Sequence, residues 1–376
     1  MGEHREGRGA RARRVALRRT LAAVLVAWLG AAGADVARAD VAAAEPQIRV
    51  LLLESAKGVQ VGAEGGALTT LEPVPGGLRA GSSSIGPVWR LGGELLRVDR
   101  LRVRGGVEVH RVPGGLRVVN RVPLEHYVAG TLGRETYPGW AVETYKAQAV
   151  ATRTYALHEA ARHADGPFDV EGGTGGQVYG GVDAESSQAV AAAAATRGEY
   201  LAWGGRPILA VFHSASGGRT ASAEEVWGRA LPYLVSVPVE HEEDSPDTYW
   251  RASVSRTTLR RALVPLGVQV GPVRELRVVE RSPSGRARTI QVRGRDGKKE
   301  IKARALRESL GAKVIRSTLF EIRATPDGFL IVGSGHGHGV GMSQWGAEAM
   351  ARRGAGYREI LASFYPGTEL VRGEAR

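Results

Sequence analysis

The 376-residue chain contains no cysteine. That excludes disulfides, thiolate metal sites and a cysteine nucleophile, so apolar packing must hold the fold together, and the chain is long enough to supply a core. Aromatic residues are sparse, with 5 Phe, 7 Trp and 10 Tyr, and no basic stripe interleaves with them as nucleic-acid surfaces require. Beyond the first forty residues no apolar run approaches the roughly 18 residues of a membrane helix. Acidic groups are the minority: the formal net charge of +12 suits polyanionic surfaces, although an arginine-rich composition alone produces a basic chain.

What is present begins with an address. Arginines crowd the stretch from Arg5 to Arg19, residues 21–32 are apolar, and Ala37-Arg38-Ala39 offers small residues where a signal peptidase reads. This order predicts a secretory signal peptide over 1–39, or an N-terminal membrane anchor if it is not cleaved. Either form places the remainder outside the cytoplasm, in the periplasm or at the cell surface.

Downstream, the periodicity predicts an α+β chain. A β-rich N-terminal part occupies 40–120, with short apolar stretches separated by Gly-Gly pairs that read as the turns of a sheet or small barrel. The core follows over 121–250, with helices at 123–135, 139–162 and 188–196 and a hairpin over 200–214 turning on Gly204-Gly205. An accessory β/α insert is expected at 251–332. A C-terminal part, 333–376, returns to the core through a glycine-rich loop and helices near 343–353 and 357–364.

Chemistry concentrates in the first of these helices. Leu124, Val128, Leu132 and Glu135 share one face, so Glu135 stands on the apolar side of the last turn before Pro138. Desolvation and the negative end of the helix dipole both raise the pKa of such a carboxyl, and a protonated glutamic acid is what general-acid catalysis needs. Lys146 and Arg153 lie on one stripe of the next helix. Two roles are open to them: a helix–helix salt bridge between Arg153 and Glu135, or cations beside substrate oxygens.

Three small-residue loops complete the candidate set: Gln177 and Tyr179 in one, His213, Ser214 and Ser216 in the second, His338, Ser343 and Gln344 in the third. His213, His336 and His338 suggest a metal, but no helical histidine pair or thiolate completes a tetrahedral site, and none is assigned. Ser214 beside His213 suggests a serine hydrolase, yet adjacent residues of an extended chain point apart and no nucleophile elbow is present.

In order, the segments Val118-Val-Asn-Arg-Val-Pro-Leu-Glu-His-Tyr-Val-Ala-Gly130, Glu135, Lys146-Ala-Gln-Ala-Val-Ala-Thr-Arg-Thr-Tyr-Ala-Leu157, Gln177-Val-Tyr-Gly180, Phe212-His-Ser-Ala-Ser-Gly-Gly218 and Gly337-His-Gly-Val-Gly-Met-Ser-Gln344 resemble the sporulation stage II protein D family, including the LytB-type amidase enhancers. The resemblance implies a lytic transglycosylase that cleaves peptidoglycan glycan strands to 1,6-anhydromuramic ends. It places the family's acid on Glu135 and its basic positions on Lys146 and Arg153, requires no cofactor, and suggests an N-acetylmuramoyl-L-alanine amidase as partner. Some relatives prefer strands stripped of stem peptides, and some carry a zinc held partly by cysteines near the segment of His213, a ligand set this chain lacks. Two rivals stand beside this expectation: a non-catalytic wall-binding activator of an amidase, and a hydrolytic muramidase using Glu143 or Asp169 as a second carboxylate.

Overall fold

Alternating apolar residues build the first half of the molecule. The computed structural model describes residues 45–173 and 176–373; the expected signal peptide lies outside them. Strands β1 (Gln47–Ser55), β2 (Val59–Ala63), β3 (Thr69–Val74), β4 (Gly77–Ala80), β5 (Ser83–Ile85), β6 (Val88–Val98), β7 (Leu101–Val112) and β8 (Gly115–Pro123) form a sheet with β9 (Val170–Glu171). Its order is β5-β4-β3-β2-β6-β7-β8-β1-β9, an open sheet and not a barrel. Ile48, Val50, Val59, Val61, Val103, Val107 and Val109 bury one face, at the period of two that a half-covered sheet demands. Two Gly-Gly pairs read as turns are not turns: Gly92 faces Gly106 and Gly93 faces Gly105 within the β6–β7 ladder, at a register shift. A Cβ on Gly105 would stand 2.2 Å from the Arg121 carbonyl, and its φ is +80°, so glycine permits a kink in two long strands.

Helix α1 (Leu124–Glu135) leaves β8 directly and turns back through 136–141 into α2 (Val142–Arg162). The small residues of α2 let it sit between two apolar clusters: Ala149 and Ala156 pack toward the sheet, while Ala147, Val150 and Ala151 pack toward the C-terminal helices. Around them lie α3 (Ser187–Ala195), β10 (Glu199–Trp203), β11 (Arg206–Pro207), β12 (Phe212–His213) and the short α4 (Ala223–Trp227). The hairpin turns on Gly204-Gly205 as expected, but β12 leaves it to pair elsewhere.

The next elements are β13 (Trp250–Ser255), α5 (Arg256–Leu263), β14 (Val273–Arg281), β15 (Ala287–Gly294), β16 (Gly297–Lys302), α6 (Ala303–Leu310), β17 (Phe320–Thr325) and β18 (Gly328–Gly333). They enclose a third apolar cluster that includes Leu259, Ile290, Val292, Leu306, Phe329 and Ile331. The chain then returns. β19 (Met342–Ser343) pairs in parallel with β12, α7 (Gln344–Arg352) and α8 (Tyr357–Phe364) cover α2, and β20 (Glu369–Arg372) pairs with β10. The fold is α+β.

Candidate active site

Glu135 is the last residue of α1, half-buried. Burial raises its pKa above the ordinary carboxylate range; the bonds from Val178 and Gln344 oppose that shift without cancelling it. The Val178 N–H donates to Oε1 at 2.8 Å, and the Gln344 amide donates to the Glu135 carbonyl at 2.8 Å and more loosely to Oε2 at 3.4 Å. No ion pair involves this carboxyl among the described residues. Two glycines make the arrangement possible: a Cβ on Gly133 would lie 1.9 Å from the Ala184 carbonyl, and one on Gly130 would lie 2.9 Å from the Tyr179 ring. Glycine inside a helix costs about 1 kcal/mol against alanine; here it lets the 177–184 segment lie against α1, where Gly180 N–H also donates to the Gly130 carbonyl at 2.9 Å.

Arg153 does not face Glu135. Its guanidinium is fully buried and grips Glu125 at the opposite end of α1, with Nε–Oε1 2.9 Å and Nη2–Oε2 2.5 Å, while Nη1 donates to the Glu199 carbonyl at 3.0 Å. Antiparallel geometry accounts for this. With the turn at 136–141, the start of α2 is level with Glu135, and Arg153 lies about 15 Å further along, level with the first turn of α1. Lys146 is likewise displaced. It shares the Arg153 stripe, roughly 150° around α2 from the face carrying Thr144, Gln148 and Thr152, and its ammonium bonds Glu143 at 2.7 Å beneath the Tyr357 ring. The residue that does meet the Glu135 neighbourhood from α2 is Gln148, whose Oε1 lies 3.4 Å from the same Gln344 amide.

Both candidate second carboxylates are otherwise engaged. Glu143 accepts from Lys146 and from the Tyr357 N–H at 2.8 Å. Asp169 is buried and holds Arg49 at 2.5 and 2.9 Å. Glu159 lines a cleft of about 320 Å³ together with Tyr155, Gln177, Trp227 and His338, but it stands about 16 Å of helical rise beyond Gln148, too far to pair with Glu135 across one glycosidic bond.

The loop residues divide. Gln177 lines that cleft, adjacent to the amide that holds Glu135; its Oε1 accepts from Tyr127 at 2.8 Å and its buried Nε2 has no partner. Tyr179 turns inward, stacks on Tyr127 with ring centroids 5.5 Å apart and donates to Asn120 at 3.1 Å, so it belongs to the core and not to a substrate surface. Ser216 and Ser343 are also structural: both hydroxyls donate to the buried carboxylate of Glu242, Ser216 at 2.6 Å. Glu242 further accepts from the N–H groups of Ser216, Gly217 and Gly218 at 2.9–3.2 Å. The backbone donors of this loop are thus occupied by a carboxylate of the chain itself. Ser343 also caps α7, a role worth about 1 kcal/mol. Ser214 contributes its carbonyl, which accepts from the Trp345 N–H at 3.0 Å.

His213 and His338 lie together, ring centroids 5.6 Å apart, and Trp227 packs on His338 at 5.6 Å. Burial, then the neighbouring His338 and Arg286, hold His213 well below the usual imidazole range. Burial and Arg307 push His338 down to about 4. His213 Nδ1 bonds the Val340 carbonyl at 3.1 Å, leaving Nε2 buried without a partner. A zinc of the thiolate type does not fit this pair: the chain has no cysteine, and among the described residues no third His, Asp or Glu joins them in a metal-sized group. Glu242 and Gln148 escaped sequence reasoning, the first because a run of acidic residues at 240–244 reads as a solvated loop. Gln148 reaches the Glu135 neighbourhood only through the Gln344 amide, a link that the pattern of α2 alone does not reveal.

Two family models match parts of the chain. A family model described as stage II sporulation protein matches residues 113–203, and one described as a domain of unknown function matches 239–341. An uncharacterized protein of Brachyspira hyodysenteriae is 37% identical over 257 residues, covering 68% of this chain and 68% of that protein. Stage II sporulation protein D of Bacillus amyloliquefaciens is 32% identical over 274 residues, covering 68% of this chain and 76% of that protein. The amidase enhancer of Bacillus subtilis is 28% identical over 290 residues, 64% of this chain but 40% of that protein.

Proposed function

Because the chain belongs to the stage II sporulation protein D family, and its relatives support a cell-wall-related role, we propose that it is an exported peptidoglycan lytic transglycosylase with Glu135 as both acid and base. The observation that carries this reading is a half-buried carboxyl whose pKa is raised by burial and which forms no ion pair among the described residues. Such a group keeps its proton into the pH range where a glycosidic oxygen needs one. Glu135 would protonate the oxygen leaving muramic acid C1, and the C1–O bond breaks. The sugar's own C6 hydroxyl then bonds C1 and returns its proton to Glu135. No water enters and no second carboxylate is required, in keeping with the engagement of Glu143 and Asp169 elsewhere.

Gln344 and the Val178 N–H position the carboxyl in this scheme, and Gln177, His338 and Trp227 form the wall along which a glycan would lie. The test is digestion of amidase-treated wall glycan by wild type and by Glu135→Gln, with the ends read by mass spectrometry. Anhydro ends made by wild type and lost in the variant are the expected result; reducing ends would mean hydrolysis. A second reading has its own support in the relative named amidase enhancer: the chain would bind wall and activate an amidase without cleaving. Under that reading neither protein cuts, and Glu135→Gln stimulates a partner amidase as well as wild type.

A further inference from the structure

Where the segment 251–332 meets the rest of the molecule there is a cavity of about 490 Å³. Five cations line it, Arg286, Arg288, Lys302, Arg304 and Arg307, against the carboxylates of Glu224, Glu225 and Glu308. Two of the five are neutralised locally: Arg304 pairs with Glu308 at 2.6 Å and Arg288 with Glu280 at 3.2 Å. Glu225 is turned to the hydroxyls and N–H groups of Ser222 and Ser284. The remaining three cations, Arg286, Lys302 and Arg307, form no ion pair among the described residues.

Arg286 is the informative one. It is 3% exposed, and its Nη atoms donate to the carbonyls of Arg219 and Ser216 at 3.0 and 2.8 Å, which bind the insert to the body without cancelling the charge. Its buried Nε has no partner. Burial lowers its pKa to about 10, with Glu225 and Glu242 opposing. Arg307 spends Nε and Nη2 on a single carbonyl, that of Arg316, at 3.2 and 3.1 Å. Glu225 and Glu242 act on Arg286 and Glu308 on Arg307 from a distance, but none forms an ion pair with them; buried charge without a paired counter-ion is unfavourable, and a bound anion relieves it.

We propose that this cavity is a binding site for an oxyanion, a carboxylate or phosphate borne on a wall polymer, held by Arg286, Lys302 and Arg307. Guanidinium groups suit planar carboxylates and phosphates by offering paired donors. Trp227 and His338 line both this cavity and the cleft that contains Gln177, so the cations lie next to the cleft. The choice of polymer rests on the function proposed above; the chemistry of the site does not.

The test uses the full chain, wild type and Lys302→Gln/Arg307→Gln, titrated calorimetrically with inorganic phosphate, with wall glycan whose muramic carboxylates are free or methyl-esterified, and with a glycerol-phosphate polymer. The expected result is a rise of about tenfold or more in Kd for at least one anionic polymer in the variant, the size of a lost charge-assisted contact. A loss matched in wild type by esterification assigns the carboxylate, and a loss confined to the glycerol-phosphate polymer assigns the phosphate. Exposed Lys302→Gln alone serves as the second variant should the double one melt early, with a smaller loss expected. Wild-type affinity of a normally melting variant for phosphate and all three polymers overturns the site. Failure of the lytic reading is seen separately, as an absence of anhydro ends while charge-dependent binding persists.

Discussion

Helix α1 carries a glutamate in its first turn and another in its last, and their surroundings are opposites. Glu125 meets a fully buried guanidinium bidentately and the Gly198 N–H at 3.2 Å. Glu135 meets one backbone N–H and one neutral amide. The first is committed to joining α1, α2 and β10. The second is held in place without an ion pair among the described residues, and burial raises its pKa. What separates these two carboxylates on one helix is the counter-charge, and the hairpin geometry of α1 and α2 decides which end receives it.

Five substitutions would break or sharpen that contrast. The largest effect is on turnover: Glu135→Gln should lower kcat for anhydro-end formation by about 10³-fold with the circular dichroism unchanged, whereas Glu125→Gln should leave the turnover of folded protein close to wild type. Stability should show the reverse. Arg153→Met strands Glu125 and should cost about 3–5 kcal/mol in urea unfolding, most of it recovered in Glu125→Leu/Arg153→Met; an undiminished midpoint in the single variant would mean the pair is not what joins the two helices.

Gly133→Ala comes next. Helix propensity favours alanine by about 1 kcal/mol, but a Cβ 1.9 Å from the Ala184 carbonyl outweighs that and displaces the segment bearing Val178. Loss of the N–H that favours the ionised carboxyl raises the Glu135 pKa further, so the basic limb of kcat/KM should move to higher pH. A limb that stays put would show that Val178 does not tune the acid. The smallest effect is a linkage. A carboxyl whose folded pKa lies above its unfolded value contributes stability that is complete below the ordinary glutamate pKa and is lost as pH rises through the folded value. Glu135→Gln should therefore melt slightly above wild type at neutral pH and equally with it in acid.

Much of the fold was readable one segment at a time. The apolar stripe Leu124, Val128, Leu132 with Pro123 before it locates α1, and the turns at Ser282–Gly285 and Asp296-Gly297 separate β14, β15 and β16 where structure places them. What failed was partnership across the chain. Lys146 and Arg153 do share a stripe, but a stripe gives an angle and not a level, and the level sends Arg153 to Glu125. Neighbouring Ser343 and Gln344 diverge because a strand passes into a helix between them, sending one to Glu242 and the other to Glu135. Glu242 itself has no local signature, since its five donors come from segments distant in sequence.

Gln344 is separated from Glu135 by most of the chain's length, yet it touches both the carbonyl and the carboxyl of that residue, and β19 must pair with β12 to bring it there. A polypeptide is made and threaded from its N-terminus. The segment that bears Glu135 is therefore made long before Gln344, and a chain stopped short of residue 344 has the carboxyl without the amide that bonds it. The surroundings of Glu135 are thus completed by one of the last parts of the chain to be synthesised.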